Sequence, residues 1–307
     1  SEMCIRDSYE LELTTRNIVK KNFSWESKLV LSYQQNKVLK LPDNGIDKNR
    51  TGGIALGDGT FFGGIAEGEP LNRFYGYVAT GIIETEEQAA NANYDALSRL
   101  PQKGAKRVGD YEWADRNGDG QITTADQFCL GVTVPPFTGG LQNSFRLKNW
   151  TLSLYLDWAT GHSIFDESYS RYFYGTFTNN YALAKDVLKA WKKPGDKTKY
   201  AKFYANDSNW GNDNYNRSPT NTFTYKGDYL CLREITLQYS LPSKLFTKVG
   251  LKGVTLTVSG NNLCYLTEVK GISPETGAST TYEGSGDNAY YNYPPIRRFS
   301  FGVRLIF

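Results

Sequence analysis

The stretch that decides the fold is the end of the sequence, Arg297-Arg298-Phe299-Ser300-Phe301-Gly302-Val303-Arg304-Leu305-Ile306-Phe307. Successive side chains of a β-strand point to opposite faces, so one face here is apolar throughout: Phe299, Phe301, Val303, Leu305 and Phe307. The other face carries Arg298, Ser300, Gly302, Arg304 and Ile306. Large apolar groups opposite arginines are typical of a strand that separates lipid from a wet lumen. An edge strand of a soluble all-β domain also alternates, so this stretch alone leaves both interpretations open.

The composition limits how the chain could enter a membrane. It has 307 residues, with 39% apolar and 14% aromatic content and a formal net charge of +3. This balance carries no signature of nucleic-acid binding. Because no run approaches the roughly 18 to 20 consecutive apolar residues of a transmembrane helix, a membrane form must be a closed β-barrel. The 22 tyrosines and 6 tryptophans suit the two interfaces of such a barrel.

Alternation of the same kind recurs along the chain. Counting the last stretch, we identify strands at residues 9–14, 23–33, 137–147, 150–158, 234–239, 254–259 and 298–307. The connections between them are short and long in turn. Outer-membrane barrels have tight periplasmic turns and long extracellular loops. We therefore predict an all-β fold, a large antiparallel transmembrane β-barrel with long extracellular loops carrying short helices.

The long connections contain weaker patterns. The first has a helix-like stretch at residues 85–100 and strand-like pieces at 74–83 and 108–113. The second predicts short helices at residues 163–172 and 183–192. Connections of this length are functional or disordered by default.

The beginning of the chain predicts a fragment. Residues 1–8, Ser1-Glu2-Met3-Cys4-Ile5-Arg6-Asp7-Ser8, resemble a translated sequencing adaptor, so we treat them as a non-native leader. No secretory signal opens the chain, and an odd number of strands does not close an ordinary bacterial barrel. We therefore expect residues 9–307 to be one part of a longer barrel.

Several motifs together resemble one transporter family, the SusC/RagA-type TonB-dependent outer-membrane transporters of Bacteroidetes. They are Asp115-Arg116-Asn117-Gly118-Asp119-Gly120-Gln121-Ile122, Phe137-Thr138-Gly139-Gly140, Tyr229-Leu230-Cys231-Leu232-Arg233-Glu234-Ile235-Thr236-Leu237-Gln238-Tyr239-Ser240-Leu241-Pro242, Val258-Ser259-Gly260-Asn261-Asn262-Leu263 and the last strand. They occur in family order across residues 9–307, which the resemblance identifies as the C-terminal part of the barrel, without its plug and N-terminal strands.

The resemblance implies a function and a set of partners. It implies TonB-dependent import of oligosaccharides or peptides at the cell outer membrane, in contact with outer-membrane lipid. It further implies a SusD-like surface lipoprotein as partner, and the TonB complex, reached through the missing N-terminal part. No enzyme activity, required cofactor or nucleic-acid partner is expected. A secreted or surface calcium-binding β-adhesin is the alternative, and an outer-membrane enzyme is a third class.

Residues 115–126 have the spacing of a calcium loop. Asp115, Asn117 and Asp119 occupy alternate positions, Gly120 permits the turn, and the carbonyl of Gln121 and the carboxylate of Asp126 complete the set. Hard oxygen ligands at this spacing can converge on one ion, so we predict calcium here. The competing interpretation is a turn in which the acidic and amide side chains bind their own backbone.

Other candidate residues carry weaker patterns. Loop tyrosines could stack on sugars, or simply pack: Tyr169, Tyr172, Tyr174, Tyr181, Tyr282, Tyr290, Tyr291 and Tyr293. Asp157 and Asp166 could suggest a hydrolase, but no pattern places them across a cleft. Arg298 and Arg304 are expected to meet carboxylates of the barrel wall or the plug. His162 is the only histidine and the cysteines lack metal-site spacing, so a zinc site is not expected.

Overall fold

Seven long antiparallel strands form the main sheet of the computed structural model, which describes residues 4–55, 61–98, 105–167, 169–170, 184–204, 213–215, 220–245, 250–275 and 295–307. The strands in these ranges are β1 Cys4–Val19, β2 Phe23–Val38, β3 Ile54–Ala55, β4 Phe61–Phe62, β5 Arg73–Gly76, β6 Ala79–Ile82, β7 Tyr94–Asp95, β8 Tyr111–Trp113, β9 Gln121–Ile122, β10 Phe128–Val132, β11 Phe137–Leu147, β12 Trp150–Thr160, β13 Ser163–Phe165, β14 Thr224–Lys226, β15 Tyr229–Ser240, β16 Gly253–Thr267 and β17 Arg298–Ile306. Helical segments are α1 Glu86–Asn91 and 3-10 turns at Asp47–Asn49, Thr124–Asp126, Lys185–Lys189, Asp213–Tyr215, Asn221–Phe223 and Ser243–Leu245.

The main sheet, which we call the wall, follows chain order. Its strands are arranged β1-β2-β11-β12-β15-β16-β17, and each is antiparallel to its neighbours. Short turns join β1 to β2, β11 to β12 and β15 to β16, whereas residues 39–136, 161–228 and 268–297 form the long connections. The predicted seven strands and the alternation of short and long connections are therefore confirmed.

The first wall strand is longer than the sequence pattern indicated. β1 begins at Cys4, which pairs with Val38 at the far end of β2. Part of the predicted leader therefore continues the strand. The non-native origin of residues 1–8 and the domain boundary at residue 9 stay predictions.

The two faces of the wall have opposite chemistry because the register is maintained across it. One cross-strand row is formed by Trp25, Phe145, Leu152, Leu237, Val258 and Phe301. The adjacent cross-strand row is formed by Glu26, Ser144, Ser153, Thr236, Ser259 and Ser300. Side chains of the apolar face are left uncovered, and Phe301 is 81% exposed. This is the alternation predicted for a barrel wall with an outer apolar face and an inner polar face.

Aromatic rings lie at both ends of the apolar face. Near the short turns, the rings of Trp150 and Tyr239 are 4.4 Å apart between centroids. Near the long connections, the rings of Tyr9 and Tyr33 stack at 6.4 Å. Such rings are amphipathic and favour the boundary between hydrocarbon and water, so the apolar band has the aromatic borders of a membrane barrel.

The first two long connections, residues 39–136 and 161–228, pack against each other, and we call them the loop layer. Their shared core contains Phe74, Tyr77, Tyr111, Trp113 and Ile122 from the first, and Phe165, Ala190, Tyr200, Ala201, Tyr215 and Phe223 from the second. Apolar residues of both connections are therefore buried in one common core, which joins the two connections.

The predicted helix at residues 85–100 is wrong beyond its first turns. Thr85 caps α1 by accepting a hydrogen bond from the backbone N–H of Gln88, and the helix ends at Asn91. β7 follows and pairs with β9. Asp95 in β7 is fully buried, and its carboxylate lies 2.6 Å from the Lys106 ammonium. This tertiary ion pair outweighs the local helix propensity; residues 99–100 lie outside the described ranges.

The other loop predictions are partly correct. The stretch 74–83 forms two strands, β5 and β6, separated where Tyr77 bridges to Thr220, and 108–113 contains β8. The predicted helix at 163–172 begins instead with β13, which pairs with β14, and residues 167, 169 and 170 are helical. The predicted helix at 183–192 is a 3-10 turn over Lys185–Lys189. No helix among the described residues is long and apolar enough to cross a membrane.

Substituting adjacent wall residues should separate the two faces. Ile235→Arg places a charge on the apolar face about midway between its two aromatic borders, and we expect a loss of about 2–4 kcal/mol of folding free energy in a bilayer, as for an arginine near the midplane of a barrel wall. Thr236→Arg places the same charge on the polar face, beside Glu234, whose Oε1 lies 2.6 Å from the Thr236 hydroxyl, and should be tolerated within about 1 kcal/mol. Urea titration of the protein folded in lipid vesicles measures both. Equal losses would contradict the assignment of faces.

Candidate functional site

A β-bulge interrupts the wall at Arg233. Leu232 and Glu234 pair with consecutive residues of β12, so Arg233 is an extra residue of β15. On the other side two residues of β16, Asn262 and Leu263, lie opposite it. Asn262 has φ 53, a left-handed conformation that asparagine tolerates better than most residues. Bulges redirect a side chain at the cost of local pairing.

The redirected guanidinium of Arg233 is the centre of a polar cluster. Its Nε and Nη2 donate to the two carboxylate oxygens of Asp157 at 2.8 and 2.7 Å. Its Nη1 donates to Asn262 Oδ1 at 2.9 Å and to the Tyr265 hydroxyl at 3.2 Å. Nη2 also donates to Glu275, and the Tyr265 hydroxyl donates to Glu275 at 2.8 Å. We call these five residues the Arg233 cluster.

The Arg233 cluster connects the wall to the third long connection. Asp157 lies on the polar face of β12, and Glu275 belongs to the connection between β16 and β17. The side chains of Asp157 and Arg233 are only 15% and 25% exposed, so solvent screens this pair less than it screens a surface pair. The first residues of the third connection are thereby held against the inner face. The sequence pattern indicated Asp157 only as a possible partner of Asp166 and gave no sign of its contact with Arg233.

Elsewhere on the inner face the charges are more exposed. Lys28 Nζ lies 2.8 Å from Glu12, and Arg16 Nε lies 3.5 Å from Glu26. All four side chains are more than 40% exposed, so each pair contributes at most about 1 kcal/mol. Arg298 and Arg304 also belong to this face, on β17, and neither makes an ion pair with any residue in the described ranges. Their expected carboxylate partners stay a prediction.

Two asparagines of the second long connection join it to the first. Asn221 accepts from the Ala79 N–H at 3.0 Å and donates to the Ala79 carbonyl at 3.1 Å, as an adjacent strand would. Asn214 accepts from the Tyr111 N–H at 3.0 Å and donates to Asp110 Oδ1 at 3.1 Å. The Tyr111 N–H satisfied in this way is buried, whereas the contacts to Ala79 are exposed.

The buried phenols of the loop layer are structural groups. The Tyr111 hydroxyl donates to the Lys199 carbonyl at 2.8 Å, and the Tyr215 hydroxyl donates to the Ala201 carbonyl at 2.6 Å. Burial raises the pKa of Tyr111 above its ordinary value and raises the pKa of Tyr200 to about 12. These tyrosines therefore remain neutral at physiological pH and act as hydrogen-bond donors or packing groups.

The suggested carboxylate pair is divided between two separate hydrogen-bonded sets. Asp157 belongs to the Arg233 cluster, whereas Asp166 accepts from the Tyr169 N–H at 2.8 Å and caps a helical turn. Burial raises the pKa of Asp166, and the Tyr169 N–H partly opposes that rise. His162 is buried, and its Nε2 lies 3.1 Å from the Pro274 carbonyl. Each group therefore has a structural explanation.

Of the loop tyrosines considered for sugar stacking or loop packing, Tyr169 lies in the described part of the loop layer. Its hydroxyl donates to Asp186 at 2.8 Å. The remaining ones lie outside the described residues: Tyr172, Tyr174, Tyr181, Tyr282, Tyr290, Tyr291 and Tyr293. Stacking on sugars stays a prediction.

The predicted calcium loop forms a tight turn stabilised by its own side chains. Asp115 accepts from the N–H groups of Gly118 and Gly120 at 2.7 and 2.8 Å. Asn117 Oδ1 accepts from the Asp119 N–H at 3.2 Å, and Asp119 accepts from the Gln121 N–H at 2.8 Å. These are the backbone contacts of the competing interpretation.

Asp126, the last predicted ligand, is directed elsewhere. Its carboxylate is fully buried and accepts from the N–H groups of Arg116 and Thr123 at 2.9 and 2.7 Å. Among the residues that the structure describes, no group of three histidine, cysteine, aspartate or glutamate side chains is arranged to hold a metal ion. Calcium at Asp115, Asn117, Asp119, Gln121 and Asp126 stays a prediction. It requires the Asp126 carboxylate to leave the N–H groups of Arg116 and Thr123.

Comparison with known proteins agrees with the architecture. The chain is 29% identical over 309 residues to TonB-dependent receptor P3 of Formosa agariphila, covering 97% of this chain and 28% of that protein. It is 29% identical to TonB-dependent receptor P39 of the same organism, covering 88% of this chain and 27% of that protein. The chain is similar to TonB-dependent receptors. The predicted resemblance is confirmed, and the chain spans somewhat under a third of the length of these receptors.

Solved structures show the same fold. A chain in the structure of the RagAB peptide transporter superposes with a TM-score of 0.66 at 19% identity, covering 98% of this chain and 29% of that one. The RagAB peptide importer in its open-open state matches with a TM-score of 0.64 at 19% identity, covering 99% and 29%. The predicted fold class is thus confirmed. A search of protein-family models found no match.

Removing the guanidinium should destabilise the wall at the Arg233 cluster. Arg233→Met removes the cation that Asp157 and Glu275 share, and we expect a loss of about 1.5–3 kcal/mol, as for a hydrogen bond to a charged group. Arg298→Met, on the same face, is the matched control and should change stability by less than about 0.5 kcal/mol. Midpoints of thermal unfolding in detergent measure both. The cluster would be disproved as a unit if adding Asp157→Asn to Arg233→Met caused a fully additive further loss.

Calcium should protect the first long connection if residues 115–126 bind it. We expect slower proteolysis between residues 83 and 136 in calcium than in chelator, because an ion would bind the turn and Asp126 together. Asp119→Asn should abolish the protection, and Asp43→Asn, an exposed acidic residue of the same connection, should not. Identical digestion with calcium and with chelator would remove the calcium prediction.

Proposed function

We propose that the protein acts in TonB-dependent import of nutrients across the outer membrane, in a SusC/RagA-type transporter. The observation that supports this best is the wall, whose aligned register gives an uncovered apolar face with aromatic borders and a polar, ion-paired inner face. A sheet with these two faces suits a barrel between lipid and a solute pathway. Similarity to named TonB-dependent receptors supports the same conclusion.

In this proposal the described residues form the pathway and its entrance. The wall provides the boundary: its five inner strands are paired on both sides, and β1 and β17 would pair along their outer edges with strands of the rest of the barrel. The loop layer is a packed structure at the end opposite the short turns, where an arriving solute first meets the protein. The Arg233 cluster holds the start of the third connection, residues 268–275, against the inner face. Energy coupling through TonB belongs to other parts of the transporter.

The proposed partner is a SusD-like surface lipoprotein, and the proposed substrates are oligosaccharides or peptides. RagAB is named as a peptide importer with open-open and closed-closed states, which supports a two-component transporter with a moving lid. The loop layer is the part of this chain that such a lid would contact. No catalytic activity of its own is proposed, since the carboxylates and the histidine considered above are engaged in structural contacts.

Cell fractionation combined with uptake tests the proposal. We expect the protein in the outer-membrane fraction, and we expect a chromosomal deletion to abolish uptake of at least one labelled compound from a panel of oligosaccharides and peptides. Uptake should return with the wild-type gene and collapse with a protonophore, because the proton gradient drives TonB. A surface lipoprotein should copurify with the protein.

The calcium-binding adhesin is the competing outcome of that experiment. It predicts protein secreted into the medium or attached outside the membrane, uptake that is unchanged by the deletion, and loss of adhesion in chelator. Those results would overturn the import proposal.

A further inference from the structure

A cavity of about 380 Å³ lies in the first long connection, beside the sheet formed by β5 and β10. It is lined by Asp47, Lys48, Arg50, Gly63, Glu69, Arg73, Tyr75, Arg116, Phe128 and Cys129. Arg116 comes from the predicted calcium loop, whose Asp126 accepts a hydrogen bond from the Arg116 backbone N–H. None of the roles considered above uses this cavity, which we call the Glu69 cavity.

Among the residues that the structure describes, the charges that line the Glu69 cavity do not balance. Four lining side chains are cationic, Lys48, Arg50, Arg73 and Arg116, and two are acidic, Asp47 and Glu69. Glu69 is shared by three of the cations: Lys48 Nζ lies at 2.9 Å, Arg50 Nη2 at 3.1 Å and Arg73 Nη1 at 3.7 Å. One carboxylate thus faces three positive charges.

The Glu69 carboxylate is already ionised, so it cannot neutralise more of the surplus positive charge. Burial raises its pKa, but hydrogen bonds from Lys48 and Arg50 more than reverse this effect, so the pKa lies below its ordinary value. At neutral pH the carboxylate therefore carries a full negative charge, and the surplus of positive charge remains.

Arg50 supplies an unsatisfied donor. It is only 3% exposed, its Nη1 donates to the Gly63 carbonyl, and its Nη2 donates to Glu69. Its Nε is buried without any hydrogen-bond partner among the described residues. Arg50 therefore adds a largely desolvated positive charge to the cavity wall, and its counter-charge, Glu69, is shared with Lys48 and Arg73.

These features define the ligand chemistry. A guanidinium fork matches the planar or tetrahedral oxygens of a carboxylate or a sulfate, and several cations together favour an anion over a neutral hydroxyl. The rings of Tyr75 and Phe128 provide apolar surface beside the charges, as recognition sites for organic solutes commonly do.

We propose that the Glu69 cavity binds the carboxylate or sulfate group of an acidic solute. The anion site stands on the geometry of the cavity alone, whereas the capture of such a solute for uptake rests on the import function proposed above. The substrate class would then be acidic oligosaccharides or acidic peptides.

Cys129, an exposed free thiol on the cavity wall, allows the potential there to be measured without transport. The protein with Cys4→Ser and Cys264→Ser is reacted in detergent with two methanethiosulfonates, one bearing a sulfonate and the other a trimethylammonium group. The ratio of the two rate constants is normalised to the ratio for 2-mercaptoethanol, so the reactivity of the thiol itself cancels. We expect the sulfonate to be favoured by about fivefold to tenfold. A further Cys129→Ser variant gives the background.

Variants that each remove one charge test the sign of the potential at Cys129. Lys48→Gln should lower the ratio and Glu69→Gln should raise it, whereas Lys197→Gln, an exposed lysine outside the cavity, should leave it unchanged. Near-ultraviolet circular dichroism verifies that each variant is folded. A normalised ratio near one that neither cavity variant alters would overturn the proposal.

Protection of Cys129 from labelling shows whether the bound carboxylate belongs to an acidic sugar or to a peptide. At constant ionic strength, D-glucuronate but not D-glucose should slow labelling if an acidic sugar fits, and N-acetylglycine but not its amide should do so if a peptide carboxylate fits. Sodium sulfate with sodium chloride as its control tests the sulfate. Absence of protection by all three anions would refute the site even if uptake proved TonB-dependent, and loss of uptake alone would leave it standing.

Discussion

The structure depends on backbone pairing that keeps the same register from one side of the wall to the other. The side-chain period of a strand is two, so a slip of one residue would exchange the apolar and polar faces of a whole strand. Across β2, β11, β12, β15, β16 and β17 the row containing Trp25 and Phe301 stays apolar, and the adjacent row containing Glu26 and Ser300 stays polar. The long connections and the Arg233 cluster all start from strands of this sheet.

Backbone groups of the loop layer find their hydrogen-bond partners differently from those of the wall. Long connections have few continuous ladders, so their backbone groups need other partners. Asn221 and Asn214 supply them from side chains, and aromatic rings of both connections fill a common core. This arrangement makes the first connection depend on the second. It also forms a surface whose cavities can differ among related proteins while the wall is unchanged, because loops tolerate change that a paired sheet does not.

The Arg233 cluster is where the wall meets the third long connection. A bulge in β15 costs one position of regular pairing and directs a guanidinium toward Asp157 and Glu275. The contact restrains the third connection where it leaves the wall. Bulges concentrate beside functional sites for this reason, and here the bulge joins a rigid sheet to a segment at the mouth of the proposed pathway.

Period-two alternation was sufficient to locate the seven wall strands. Each strand has one apolar face, and wall strands that follow one another along the chain are neighbours in the sheet. The pattern predicted β11 with its bounds intact and located the other six, but it lost residues 229–233 because the extra residue Arg233 reverses the phase of the alternation. A spacing of three between Leu232 and Ile235 was the available indication.

The motifs, for their part, led correctly to TonB-dependent receptors. Tertiary contacts decided the rest. The sequence favoured a helix at residues 85–100, but the helix ends at Asn91 and Asp95 lies in β7, paired with Lys106. The Glu69 cavity combines residues from four separate stretches, and the Arg233 cluster joins three strands and a loop. By itself the sequence determined which residues face which side of the wall, since that follows from local periodicity. Only the tertiary structure brought distant charges together, because their proximity depends on how long connections pack, which no local pattern encodes.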